Sequence, residues 1–136
     1  MKLPDTEQWS GQQEMIKMDV VSLDSIRQGI KKIMKKTGRL DIVVNSAGYS
    51  LAGSIEDTNL KEEKDQFTTI FFGVHAVCRQ AISIIRKQQS GYIINISSLA
   101  GLVGLPFQAF YSASKYAIEG YTEALRRELK PFNLIS

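Results

Sequence analysis

The chain has one cysteine, one histidine, one tryptophan and three prolines in 136 residues. A single cysteine, Cys78, excludes an internal disulfide, and its apolar surroundings point to a buried, reduced thiol in a cytoplasmic protein. A single histidine, His75, with no cysteine pair at ligand spacing, argues against a metal centre and reads as a helix-packing residue. Unbroken apolar runs are short, as within Leu40–Val44 and Tyr92–Ile96, against the ~20 residues that a membrane helix needs. No membrane span is expected. The first ten residues mix charge with Pro4 and Trp9 and lack the apolar stretch of a secretory signal, so export is not expected either. Ten glycines are present, yet no two are spaced Gly-x-Gly, so the glycine-rich turn that cradles a dinucleotide pyrophosphate is missing. There is no internal repeat, low-complexity tract or linker.

What remains is the composition of one globular domain, 43% hydrophobic and 23% charged. The net charge of +3 comes partly from Lys31, Lys32, Lys35, Lys36 and Arg39. These alternate with Ile30, Ile33 and Met34, which makes them the solvated side of an amphipathic helix rather than a nucleic-acid surface. No nucleic-acid partner is expected.

Segments of two periodicities alternate along the chain, the mark of a parallel sheet with crossover helices. Strands are expected at Met15–Val20, Leu40–Asn45 and Gly91–Ser97. Ile42, Val43 and Val44 form a continuous β-branched run, and Ile93, Ile94 and Ile96 are broken only by Asn95; such strands suit burial on both faces. A first helix should run from Ser22 as N-cap to Lys36, with Gly38 as stop signal. A second spans roughly Lys61–Lys87, where Phe67, Phe71, Val74, Cys78, Ala81 and Ile85 recur at helical spacing, its N-terminal part separable from the rest. A third runs from Tyr111 to Lys130, halted by Pro131.

In open parallel sheets, ligands bind beyond the carboxyl ends of the strands. Asn45-Ser46-Ala47-Gly48 follows one strand and Ser97-Ser98 another, so two strand ends offer polar groups to one crevice. Of five tyrosines, only Tyr111 has a lysine, Lys115, one helical turn later, which puts both on one helix face. A phenol is a poor base at neutral pH, but a nearby ammonium stabilises its phenolate and fits it to acid–base work. Ser98 could donate a hydrogen bond to a substrate oxygen as charge develops there. None of these groups can take a hydride, so an alcohol–carbonyl reaction needs a cofactor.

Tyr-Ser-Ala-Ser-Lys at 111–115, Asn-Ser-Ala-Gly at 45–48 and Ile-Ser-Ser at 96–98, in this order and with thirteen residues from Ser98 to Tyr111, resemble the signature motifs of the classical short-chain dehydrogenase/reductase family. Asp19-Val20 resembles the family's pair that lines the adenine pocket. The resemblance covers essentially the whole chain. It implies an α/β fold with an incomplete Rossmann-like doubly wound parallel sheet, residues 1–136 forming one partial NAD(P)-binding and catalytic domain. It implies Tyr111 as general acid/base, Lys115 as its modulator and ribose ligand, and Ser98 as the substrate-orienting donor. Cofactor contacts would come from Asp19, Val20, Asn45, Ala47, Gly48, Tyr111 and Lys115, with no metal. The implied cofactor is NAD or NADP, the substrate a small alcohol or carbonyl compound, and the assembly a homo-oligomer built on the last two helices. Ser97 is expected to be structural, and Gly101 and Gly104 to shape the loop before Tyr111.

Two departures from the family pattern stand out. Ile70 occupies a position where the family usually has an asparagine that helps hold a water of the proton relay. The first strand–turn–helix unit and the segments after Phe132 are expected to be missing, so the chain reads as truncated at both ends. With the intervening strands of the order 3-2-1-4-5-6 not encoded, Met15–Val20 must lie displaced from Leu40–Asn45 or pair elsewhere, and exposed edges would favour self-association. The alternative to an enzyme is an inactive family member serving as a binding or oligomerisation module.

Overall fold

The computed structural model describes residues 14–130; the residues expected to contain the N-terminal non-signal and the C-terminal break at Pro131 lie outside them. Helix α1, Leu23–Thr37, starts where Ser22 accepts a hydrogen bond from the Ser25 amide and stops where Gly38 turns left-handed at φ 73°. Its buried side is Ile26, Gly29 and Ile30, while the lysines face water as expected. Lys36 pairs with Glu14, and Arg39 pairs with Asp41 just beyond the helix.

Strand β1, Ile42–Asn45, pairs in parallel with β2, Tyr92–Asn95, in the register Ile42↔Tyr92 through Asn45↔Asn95. Both strands are shorter than their apolar runs suggest. Leu40 precedes β1 because Gln88 satisfies its backbone from both sides, Leu40 N–H donating to Oε1 at 2.9 Å and Nε2 donating to Leu40 O at 2.9 Å. Met15–Val20 is not a strand: among the described residues the sheet has two strands, and residues 14–19 run without a ladder partner into a turn at Val20-Val21. With no strand beside it among the described residues, this backbone stays out of the sheet.

The expectation of strands covered on both faces is also corrected. Ile42, Val44, Tyr92 and Ile94, which the register puts on one face, are each about half exposed, whereas Ile93 on the other is buried. The described helices cover one side only.

The second helical region begins at Asn59, which caps α2, Leu60–Phe67, through a reciprocal capping box with Glu62. It does not separate. One π-helical turn, Thr68–Phe72, closed by the Gly73 N–H on Thr68 O, carries it directly into α3, Gly73–Gln88. By length and composition Leu60–Gln88 is apolar enough to cross a membrane, although its apolar residues form no long unbroken run. The apolar stripe of α3, Val74, Cys78, Ala81 and Ile85, is instead buried in the core with Ile93 from β2 and Ile118, Leu125 and Leu129 from α4, Ala109–Leu129. α4 begins two residues before Tyr111, which sets that tyrosine inside the first turn.

Candidate active site

The C-terminal ends of β1 and β2 open into a cleft of about 290 Å³ lined by Ser46, Gly48, Tyr49 and Ser50 from one loop, Ile96 and Ser97 from the other, and Tyr111 and Lys115 from α4. Lys115 is buried, yet its ammonium is not stranded: Nζ donates to the Ile96 carbonyl at 2.8 Å and lies 5.8 Å from the centre of the Tyr111 ring. The one-turn spacing thus does what helical geometry requires, with a carbonyl from the edge of the sheet fixing the cation beside the phenol.

Ser98 lies at the start of the next loop, half-buried, where its Oγ accepts from the Ala100 amide at 3.2 Å and caps the short 3₁₀ turn Leu99–Gly101. A hydroxyl that accepts through its oxygen keeps its proton free to donate. Ser97 turns inward, and its Oγ has no hydrogen-bond partner among the described residues. Ser98 is extended beyond the end of β2, with φ −157° and ψ 165°, and successive residues of an extended backbone point oppositely, which is why these neighbours differ.

Asn45 ends β1 buried, its Nδ2 donating to Asn95 Oδ1 at 2.8 Å and approaching Cys78 Sγ at 3.5 Å. Asn95 Nδ2 then donates to Thr122 Oγ1 at 2.9 Å, tying sheet to α4. Ala47 is exposed and Gly48 lines the cleft with Ile70 behind it; a Cβ on Gly48 would come within 3.2 Å of Ile70 Cγ1. Ile70 is buried in the π turn, an apolar wall where a polar side chain stands in the family pattern. Asp19 and Val20 are not brought to this cleft. Asp19 accepts from the Val21 amide at 2.9 Å at the entry to α1, and Val20 packs on Gly73 beside a separate cavity between α1 and α3.

Two features were not found from the sequence. Gln66, fully buried on α2, clamps the cleft loop by donating from Nε2 to Tyr49 O at 2.7 Å and accepting from the Leu51 amide at 2.8 Å. Asn95 is the other, and its signal was visible as the one polar residue inside an isoleucine run. Beneath the site, burial pushes the Cys78 thiol up to about 11 and, with the neighbouring Cys78, raises Tyr121 above its ordinary range. His75 Nδ1 lies 3.4 Å from the Tyr121 hydroxyl, and their rings meet edge to face; His75 is a packing residue. Among the described residues no cluster of His, Cys, Asp and Glu could hold a metal.

A parallel sheet with crossover helices, and polar side chains gathered at the carboxyl ends of its strands, is the architecture of an incomplete Rossmann-like α/β domain. The chain belongs to the short-chain dehydrogenase family, whose model matches residues 3–136. It is 43% identical over 124 residues, 91% of its own length, to a 3-ketodihydrosphingosine reductase of Bacteroides thetaiotaomicron. It is 40% identical over 121 residues to a probable short-chain type dehydrogenase/reductase of Helicobacter pylori, covering 89% of this chain. The chain spans just under half of these relatives, 46% and 45%. Among solved structures, ElxO with NADP bound has a TM-score of 0.83 at 32% identity, covering 86% of this chain and 48% of that one. A xylitol dehydrogenase bound to NAD+ also has a TM-score of 0.83, at 28% identity, covering 86% of this chain and 45% of that one. The family depends on NAD or NADP.

Proposed function

We propose that this chain is the proton-transfer half of an enzyme that interconverts an alcohol and a ketone or aldehyde. The observation that carries the reading is the buried Lys115 ammonium, held by Ile96 O beside Tyr111 in one cleft. When bound, the nicotinamide cofactor supplies or accepts the hydride. Tyr111 gives its phenolic proton to the carbonyl oxygen in reduction and takes it back in oxidation. Ser98, its oxygen already engaged by Ala100 N–H, directs its own proton at the substrate oxygen. Asn45 holds the strand ends in register, and Ala47 and Gly48 leave space at the backbone for the cofactor; Asp19 and Val20 are assigned to its adenine end on resemblance alone. The Bacteroides relative, named as a reductase of a 3-keto compound, supports reduction of a keto group.

The enzyme reading is tested by Tyr111→Phe. Turnover of a ketone with NADPH should fall by at least about a hundredfold with an unchanged circular dichroism spectrum. Undiminished turnover would remove Tyr111 from its role.

A second reading, an inactive binding or oligomerisation module, is favoured by the sheet face left bare and the β1 edge left unpaired among the described residues, which suit a homo-oligomer. Saturable NADPH or NADH binding, followed by fluorescence, separates the readings: binding supports the enzyme, and its absence supports the module.

A further inference from the structure

We infer that Gln66 is a positioning residue for the Tyr111 cleft: without touching a ligand, it orders the wall formed by Gly48, Tyr49 and Ser50 and so sets how tightly the cleft binds. The inference rests on the alcohol–carbonyl reading for what the cleft binds and adds the residue that shapes it.

Ser46, Gly48, Tyr49 and Ser50 line the cleft from the loop that joins β1 to α2. A backbone hydrogen bond ties the loop on either side of this stretch. Asn45 O accepts from Ile96 N–H at 2.9 Å, and Gly53 N–H donates to Phe107 O at 2.8 Å. Between those ties, among the described residues, the hydrogen bonds of residues 46–52 are the two made by Gln66. Nε2 donates to Tyr49 O at 2.7 Å and Oε1 accepts from Leu51 N–H at 2.8 Å, so one carboxamide grips both peptide groups that flank Ser50.

The choice of an amide at this position points beyond packing. Gln66 is 0% exposed, and a buried amide is costly unless it is hydrogen-bonded; the loop is what satisfies it. An apolar side chain of similar volume would fill the space without that demand. Ile70, four residues further on and also buried, meets the same loop from below, its Cγ1 3.2 Å from the place of a Cβ on Gly48. That apolar contact limits how far the loop sinks but has no direction, whereas the two hydrogen bonds fix its register. A wall held in register before a ligand arrives does not have to be ordered when it binds, which spares the conformational entropy that binding would otherwise cost.

The test compares the whole chain, ¹⁵N-labelled, with Gln66→Met, Gln66→Glu and Gln88→Met. Gln88 makes a like pair of bonds to Leu40, at the opposite end of β1 from the cleft, and is the control for losing a buried amide clamp. In Gln66→Met, hydrogen exchange of the Leu51 amide should quicken at least about tenfold while Ile85 and Ile93 in the core keep the protection of the parent. NADPH, followed by fluorescence, should bind Gln66→Met at least about tenfold more weakly and Gln88→Met as it binds the parent. A protonated carboxylic acid can make both of the glutamine's bonds, but a carboxylate cannot donate to Tyr49 O. In Gln66→Glu the protection of Leu51 should therefore fall as the pH rises from about 5 to 8 and the carboxyl ionises. Unchanged exchange at Leu51, an equal loss of protection at Ile93, a flat pH profile for Gln66→Glu, or NADPH affinity that Gln66→Met leaves intact or that Gln88→Met lowers as much would each overturn the assignment. A parent chain that does not bind NADPH counts against the enzyme reading alone, and the exchange of Leu51 then decides the role of Gln66.

Discussion

Asn45 and Asn95 stand opposite each other at the ends of the only described strand pair, joined side chain to side chain at 2.8 Å. The link makes the strand ends a rigid base for the loops of the cleft, and it is exacting because Asn45 is buried. Asn95→Ala removes the acceptor for Asn45 and the donor to Thr122 and should destabilise the chain by about 1–3 kcal/mol. With Asn45→Ala added, the double variant should lose less than the sum of the singles, since both act on one network. Urea denaturation monitored by circular dichroism measures both, and strict additivity would show that the pair is not coupled.

Much of this arrangement was legible in the order of residues, and the exceptions have physical causes. Ser22 and Gly38 bounded α1 because caps are local: the serine satisfies an amide three residues on, and the glycine adopts a conformation that needs no partner elsewhere. Tyr111 and Lys115 were legible because helical spacing alone puts them on one face. Met15–Val20 misled because an apolar stretch announces a willingness to pair, not the presence of a partner. The two-faced burial expected for Ile42 and Val44 failed for the same reason. Gln66 could not have been read, since its value lies in meeting Tyr49 and Leu51 across a loop whose path no local pattern encodes.

Ser97 and Ser98 should respond in opposite ways to the same change. Ser97 has buried its hydroxyl without a partner among the described residues, so Ser97→Ala should raise stability by about 1 kcal/mol. Ser98→Ala should lower turnover and loosen the 3₁₀ turn that it caps. Gly101 offers an internal check. A Cβ there would sit 2.5 Å from Ser97 Oγ, so Gly101→Ala should be destabilising alone and partly rescued by Ser97→Ala. Thermal melts of the three variants would sink the idea if Ser97→Ala were the most damaging.

Gly91 and Gly104 make a contrasting pair for backbone effects. Gly91 enters β2 at φ 151°, and a Cβ would lie 2.5 Å from Ile85 Cγ2 and 3.2 Å from Asp41 O. The backbone oxygen cannot yield cheaply, so Gly91→Ala should cost about 2 kcal/mol or more. Gly104 has open space around its missing Cβ, and Gly104→Ala should stay within about 0.5 kcal/mol of the parent. Equal denaturation midpoints for the two variants would contradict the packing described at the start of β2.

Cys78 ties core packing to pH. Burial raises its thiol from an ordinary value of 9.0 to about 11 in the folded chain, because the interior disfavours the thiolate. Below pH 9 the thiol is protonated whether the chain is folded or not, and its contribution to stability is fully present. Between 9 and 11 the unfolded chain releases this proton while the folded chain keeps it, so the unfolded state gains and stability falls, by roughly 2 kcal/mol across that window. Cys78→Ala should lessen the decline of stability over pH 9–11, leaving the part that Tyr121 contributes from about pH 10 upward. The same burial shields the sulfur from reagents: iodoacetamide at pH 8 should label the native chain far more slowly than the urea-unfolded chain. Equal labelling rates in the two states would mean that the thiol is not held in the core beneath Asn45 and Asn95.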